Sequence, residues 1–357
     1  MNCDCRISYD EGEDRILGPH SNVQVVMVRE NSGYQVVATV SDLGGKNCSV
    51  WNDLKVSYDK SFFQNPFDSI RKVWVFADVP YLYKLIRNHF LDKGFIVGVK
   101  KISKEVIEKI LMLDSNEAKI CPRLSLHHIS VKGRERQRVY LETQLFSNQT
   151  AKAIRYLLPD EMDTADFFQL MNDSFDILNA RNFKDDRLLA RGYRYDLKNQ
   201  KIIIDKLKSC IENLVISKTF KKTKKVTLVK RKEKIFFPFQ KGFLMTIASL
   251  YGLYEDLMPL DVKFILTSRL NQDCLENFFS KIRGVGHFYD HPLPSEVRHR
   301  IRLLLLGKNV DDIPFSSATN TLPCEDKSLL TTELLEHMSP DLNECGNQSE
   351  IRRNNHK

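Results

Sequence analysis

No run of apolar residues in this 357-residue chain reaches the roughly 18 that a membrane-spanning helix requires, so no such span is expected. The N-terminal Met1-Asn2-Cys3-Asp4-Cys5-Arg6 lacks the apolar stretch of a secretory signal, and an intracellular protein is the expectation. Paired cysteines are missing too. The eight cysteines are scattered without a single CxxC, which points to reduced thiols and leaves Cys3, Cys5 and His20 as a zinc candidate. No internal repeat is visible. What is present is ordinary for a globular protein: 42% hydrophobic and 28% charged residues, on a length that accommodates two or three domains.

Charge is unevenly spread. Lysine and arginine number 54 against 46 acids, a net +8. Residues 201–234 hold 12 of the cations against Asp205, Glu212 and Glu233, a local +9, so the rest of the chain is close to neutral. Within that segment, Lys221-Lys222-Thr223-Lys224-Lys225 and Lys230-Arg231-Lys232 suit a phosphate backbone or nuclear import, with a solvated loop as the alternative.

The organisation reads as α/β, then helical, then α/β. Short β-branched runs predict strands over residues 22–28, 34–40 and 72–76. Two of them end in an aspartate before a helix. Asp42 leads through Gly44-Gly45 to a helix around residues 49–54, and Asp78 leads through Pro80 to a helix over 81–91 that Gly94 stops. That places a carboxylate at the carboxyl edge of a parallel sheet, where open α/β folds build sites. Residues 102–260 read as mostly helical, with Phe167, Phe168, Met171, Phe175 and Leu178 on one core stripe and Leu244, Ile247 and Leu250 on another. A helix over 270–282, capped by Ser268 or Asn271, and a second over 296–306 follow, and the composition beyond residue 311 predicts a disordered tail.

Asp42, Asp78 and Glu276 stand where metal chemistry would want carboxylates. Two-metal phosphoryl transfer needs hard oxygen ligands on Mg²⁺ or Mn²⁺. An aspartate after a strand is also a common helix cap or turn former.

Four segments carry a resemblance: Val37-Ala-Thr-Val-Ser-Asp-Leu-Gly-Gly-Lys-Asn47, Phe76-Ala-Asp-Val-Pro-Tyr-Leu-Tyr-Lys-Leu-Ile-Arg-Asn-His-Phe90, Pro238-Phe-Gln-Lys-Gly242 and Leu266-Thr-Ser-Arg-Leu-Asn-Gln-Asp-Cys-Leu-Glu-Asn-Phe-Phe-Ser-Lys-Ile-Arg283. In this order they resemble the P-element transposase family, including relatives with an N-terminal zinc-coordinating THAP module. The resemblance implies an RNase H-like fold of the DDE transposase and integrase kind, interrupted by a mainly α-helical GTP-binding insertion domain. It divides the chain into residues 5–100 and 263–307 for the RNase H-like part, 101–262 for the insertion and 308–357 for the tail. It also implies Asp42 and Glu276 as catalytic and metal-binding carboxylates, with Mg²⁺ (or Mn²⁺) and GTP as cofactors. DNA and guanine nucleotide are the implied partners, self-association is an option, and nuclear localisation is expected. Asp78 matches the family's Asp-x-Pro-His-Leu motif, either in a structural part or as support behind the catalytic carboxylates, with Tyr81 and Tyr83 as departures and Lys84, Arg87 and Asn88 retained.

The nucleotide site carries over by the same matching. Asn172, Phe175 and Asp176 match Asn-x-x-Phe-Asp, while Arg138 and Val139 through Ser147 match the ribose and phosphate segment. Arg138 and Arg123 replace family lysines, which keeps charge and changes phosphate geometry. Asn172 and Asp176 at i,i+4 share a helix face, with Phe175 beside them to stack on a base. A carboxylate accepting from guanine N1–H and its exocyclic amine selects against adenine. Asp273, one turn before Glu276, is the family's second guanine-side carboxylate.

Two departures accompany the matches. The family's first catalytic aspartate has no match in register, Asp4 being the nearest carboxylate. A family strand and helix are reduced to Glu30-Asn31-Ser32. No THAP module is recognised. Two readings follow from the resemblance: an enzyme, a transposase that cuts and joins DNA with Mg²⁺ and GTP, and a truncated, catalytically defective transposase-derived protein, a non-catalytic DNA- or GTP-binding remnant or regulator, with the second favoured by the missing carboxylate.

Overall fold

A computed structural model of the chain describes residues 8–10, 15–17, 36–98, 100–114, 119–216, 236–285 and 292–306. The expected strand over 22–28, the Cys3, Cys5 and His20 trio, Asp4, the lysine clusters from 221 onward and the tail lie outside them. Two compact units divide the chain: residues 29–272, and residues 1–28 with 273–357.

Within the second of these, strands β1 (Ser8–Asp10) and β2 (Arg15–Leu17) pair antiparallel, Tyr9 opposite Ile16. The larger unit begins with a three-stranded sheet. Strand β3 (Ala38–Ser41) runs parallel to β5 (Asp68–Ala77), and β4 (Phe62–Asn65) pairs antiparallel on its other side. The expected strand over 34–40 is thus shorter and shifted. Residues 73–77 of β5 are all buried, as expected for a central strand covered on both faces. Helix α1 (Gly45–Asp53) follows β3, and α2 (Val79–Lys93) follows β5. Gly94 ends α2 at φ 68°, and a Cβ there would lie 2.8 Å from the Ile102 carbonyl oxygen.

The chain then forms β6 (Phe95–Val97), β7 (Lys100–Ile102) and α3 (Glu105–Leu113), followed by α4 (Val139–Leu145), α5 (Asn148–Leu157), α6 (Met162–Leu178) and α7 (Leu197–Asn213). A short strand β8 (Val215–Ile216) joins β6 and β7 in a small antiparallel sheet that the sequence did not predict. Phe90, Phe95, Phe146, Phe167 and Phe168 meet in the core with several edge-on rings, which bears out the stripe expected on α6.

Helix α8 (Pro238–Leu257) returns onto the first sheet through small residues spaced for one face. Thr246 Oγ1 accepts from the Ala77 N–H at 3.1 Å, and Ser249 Oγ donates to the Val75 carbonyl at 2.6 Å. Gly252 lies on the Trp74 ring so closely that a Cβ would stand 1.9 Å from it. Trp74 Nε1 donates to Asp256 at 2.7 Å, completing the seam.

In the smaller unit, α9 (Asp273–Gly284) and α10 (Pro294–Leu306) pack through Phe278, Ile282, Val297 and Leu304. Buried Arg300 donates to the Ile282 carbonyl near the end of α9. The helix expected from 270 starts instead at Asp273. Residues Thr267–Leu270 form a separate 3-10 turn, and Asn271 sends its amide to Asn179 at 2.9 Å. Thr267 Oγ1 ties the turn to the end of α6, donating to the Ile177 carbonyl and accepting from the Ala180 N–H.

Candidate functional site

The two strand-end aspartates stand side by side at one sheet edge. Ser41 pairs with Ala77 across the parallel ladder, and the Asp78 N–H donates to the Ser41 carbonyl at 3.0 Å. They are engaged differently. Asp42 is half-buried, and its Oδ1 accepts from the Gly44 N–H at 2.8 Å and from the Asn47 amide at 2.7 Å, the pattern of a turn-forming side chain. Its charge reaches the neighbours: burial first, and Asp42 second, push up the Cys48 thiol and the Tyr81 phenol. Asp78 is 2% exposed. Its Oδ2 accepts from the Tyr81 N–H at 3.1 Å as the N-cap of α2, and its Oδ1 accepts from the Gln272 N–H at 2.8 Å. Asp78 therefore works through backbone hydrogen bonds, one local and one across 194 residues of sequence.

Glu276 and Asp273 lie in the first turn of α9 in the other unit. Magnesium needs converging hard oxygens. Among the described residues no three His, Cys, Asp or Glu side chains stand together as a group that could hold a metal ion. Asp42 Oδ1 is taken by two N–H donors, and no metal-dependent step is assigned to these residues.

The residues expected around a nucleotide come together in part. Ser147 caps the N-terminus of the ten-residue helix α5, accepting from the Thr150 N–H at 3.2 Å. Asn172 on α6 reaches that end, its Oδ1 accepting from the Asn148 N–H at 3.1 Å. The turn carrying exposed Arg123 is fixed at the same place. Asp114 takes the Ile120 and Cys121 N–H groups at 2.8 Å each, and Gln149 in the first turn of α5 donates to the Ile120 carbonyl at 2.9 Å.

Arg138 and Val139 sit where an ordered loop enters α4. Arg138 is exposed and donates to the Tyr140 hydroxyl at 3.0 Å. Its backbone is gripped from behind by Arg87 of α2, which donates to the carbonyls of Arg138, at 2.7 Å, and Arg136. Arg136 in turn forms a two-pronged pair with Asp92 at the end of the same helix. Phe175 is partly buried, its ring edge-on to Tyr83 at 4.9 Å. Tyr83 also hydrogen-bonds Ser174 at 2.7 Å. Helix α2 thus holds both the 136–138 loop and α6.

Burial sets the chemistry of two carboxyls here. It pushes Asp176 up to about 6; Asp173 and Asp185 add to that, and the guanidinium of Arg187 opposes it. Arg187 Nη1 donates to Asp176 Oδ1. Glu142 is 1% exposed, and one of its oxygens has no hydrogen-bond partner. Burial raises it to about 8 against the nearby charges of Arg87 and Lys84, while burial lowers Arg87 to about 10.

Sequence reasoning found Arg87 only as a retained motif residue and missed Asp114, Glu142 and Arg187. Arg187 had one available signal, a cation in a polar turn eleven residues after Asp176.

Comparison with known proteins places these features. Residues 81–190 match the GTP-binding insertion domain of TNP-like proteins, so the class is that of a transposase-type chain carrying such an insertion. The Transposable element P transposase of Drosophila melanogaster is 35% identical over 323 residues, covering 88% of this chain and 40% of its own length. Human DNA transposase THAP9 is 28% identical over 271 residues, covering 71% of this chain and 29% of its own length. The solved Drosophila P element transposase strand transfer complex aligns with a TM-score of 0.73 at 33% identity, over 85% of this chain and 74% of that one. The chain belongs to the P element transposase family and spans about 40% of the first of those curated relatives.

Proposed function

We propose that this transposase-derived chain binds a guanine nucleotide on its insertion domain and associates with DNA through charge, without cutting it. The observation that carries the nucleotide reading is the meeting of Ser147, the N-terminus of α5 and Asn172 on the helix that also bears Asp176. A helix N-terminus favours phosphate, Arg123 lies exposed on the turn fixed to α5, and Arg138 lies exposed on the loop held by α2. Asp176, as a carboxylate, accepts from guanine N1–H and the exocyclic amine. Adenine offers neither donor at that edge.

The parallel β3–β5 pair with antiparallel β4 supports an RNase H-like sheet for the remainder. The shortening to Glu30-Asn31-Ser32 supports a damaged catalytic half, and the reading assigns Asp42 and Glu276 no metal-dependent step. Lys221, Lys222, Lys224 and Lys225 are the DNA-facing and nuclear-import residues of this reading.

Calorimetric titration of the full chain with GTP, ITP and ATP tests it. ITP keeps N1–H and lacks the 2-amino group, so the expected order of affinity is GTP, then ITP, then ATP. Equal affinity for the three nucleotides would remove the assigned role of Asp176.

A further inference from the structure

The base-reading carboxylate is already occupied by a group with guanine's own donor chemistry. The N1–C2–N2 edge of guanine is a guanidine unit offering two N–H donors on one side. An arginine offers the same to a carboxylate. Arg187 Nη1 donates to Asp176 Oδ1 at 2.5 Å. We propose that Arg187 is an internal stand-in for guanine, holding Asp176 until the nucleotide displaces it. The inference rests on the reading of Asp176 as the guanine acceptor.

The surrounding contacts make displacement inexpensive. Arg187 is held by a second carboxylate, its Nε and Nη2 donating to the two oxygens of Asp185 at 3.1 Å each. Asp185 therefore offers Arg187 a carboxylate partner of its own when Nη1 leaves Asp176. The Arg187 side chain is 62% exposed, so water replaces the lost contact. Asp176 is in the opposite position. Its side chain is 13% exposed, and a carboxylate so placed needs a donor that solvent supplies poorly.

The arm is also locally fixed. The Arg187 N–H donates to Asp185 Oδ1 at 2.9 Å, the Lys184 N–H donates to Asn182 at 2.9 Å, and Arg191 donates to the Asp185 carbonyl. The guanidinium is therefore presented to α6 by an ordered turn. A ligand that engages Asp176 through the same oxygen and Arg187 exclude one another, which makes Arg187 a competitor for the base edge alone.

The test is titration of the full chain and its Arg187→Gln and Arg187→Lys variants with GTP and ATP, each variant checked by thermal melting. If the competent form is roughly a third to a tenth of the population, removing the competitor tightens GTP about three- to tenfold. ATP, which does not compete for that edge, stays unchanged. Arg187→Lys, with a charge but no planar fork, gives a smaller gain. GTP binding by Arg187→Gln alone, with none by the wild type, also supports the proposal. Weaker GTP binding by Arg187→Gln would make Arg187 a ligand of the nucleotide and overturn the stand-in. Selective GTP binding that is identical in wild type and variant would overturn it while leaving the nucleotide reading intact. No GTP binding by either protein would overturn both.

Discussion

Replacing Asp78 with alanine separates a structural carboxylate from a catalytic one by the sign of the stability change. Its Oδ2 caps α2 through the Tyr81 N–H, and loss of such a cap costs about 0.5–2 kcal/mol. Its Oδ1 satisfies the partly buried Gln272 N–H, and an orphaned donor costs about 1–3 kcal/mol. Because Gln272 is only partly buried, water recovers some of the second cost, and the sum comes to about 2–4 kcal/mol. At roughly 2–4 °C per kcal/mol for a unit of this size, the melting temperature of Asp78→Ala falls by about 5–15 °C. Asp78→Asn, which keeps an acceptor for Tyr81, falls by less. The assay is thermal unfolding followed by far-UV circular dichroism, with urea unfolding as its isothermal counterpart. Residues kept for catalysis are often tolerated or even stabilised on removal, since functional sites trade stability for activity. An Asp78→Ala protein that melts at or above the wild-type temperature would refute the backbone-anchoring role.

Three other perturbations have definite outcomes. Gly252→Ala drives a methyl group into the Trp74 ring and, as an overpacked core position, destabilises by about 1–3 kcal/mol in urea unfolding. Glu142 binds its proton more tightly folded than unfolded, so its contribution is complete below about pH 4.5 and is lost as pH rises toward about 8. Glu142→Gln removes that loss: its stability relative to wild type, measured by urea unfolding at pH 5 and pH 8, rises with pH, and a pH-independent difference contradicts the assignment. Neutralising Lys221, Lys222, Lys224 and Lys225 weakens DNA binding uniformly across sequences and flattens its salt dependence in fluorescence titrations; an unchanged slope returns that segment to a solvated loop.

The strand, aspartate, helix pattern was legible because β-branched runs, Pro80 and Gly94 punctuate it, and the structure sets Asp42 and Asp78 just past the ends of neighbouring parallel strands as that pattern requires. The aromatic stripe of α6 was legible from its period. Strand β4 was not, since four residues reading Phe-Phe-Gln-Asn carry no clear alternation, and β6 to β8 are shorter still. The start of α9 was misplaced because Ser268 and Asn271 look like caps, whereas buried Thr267 ties that stretch to the end of α6. Least legible were side chains that act at long sequence distance. Arg87 grips carbonyls 49 and 51 residues away and Asp78 reaches Gln272, and neither contact leaves a periodic trace. Arg187 was hidden for another reason. Its pairing with Asp176 depends on the turn geometry at Asp185, which charge pattern alone does not encode.

Calorimetric titration of GTP into the wild-type chain and its Asp176→Ala variant, near pH 7.5 so that a carboxyl titrating at about 6 is ionised, tests the central claim most directly. Removing Asp176 leaves guanine's two donors without their acceptor, at about 1–3 kcal/mol, or roughly tenfold to a hundredfold in affinity. The account predicts that loss for GTP with ATP unaffected; GTP affinity unchanged by Asp176→Ala would contradict it.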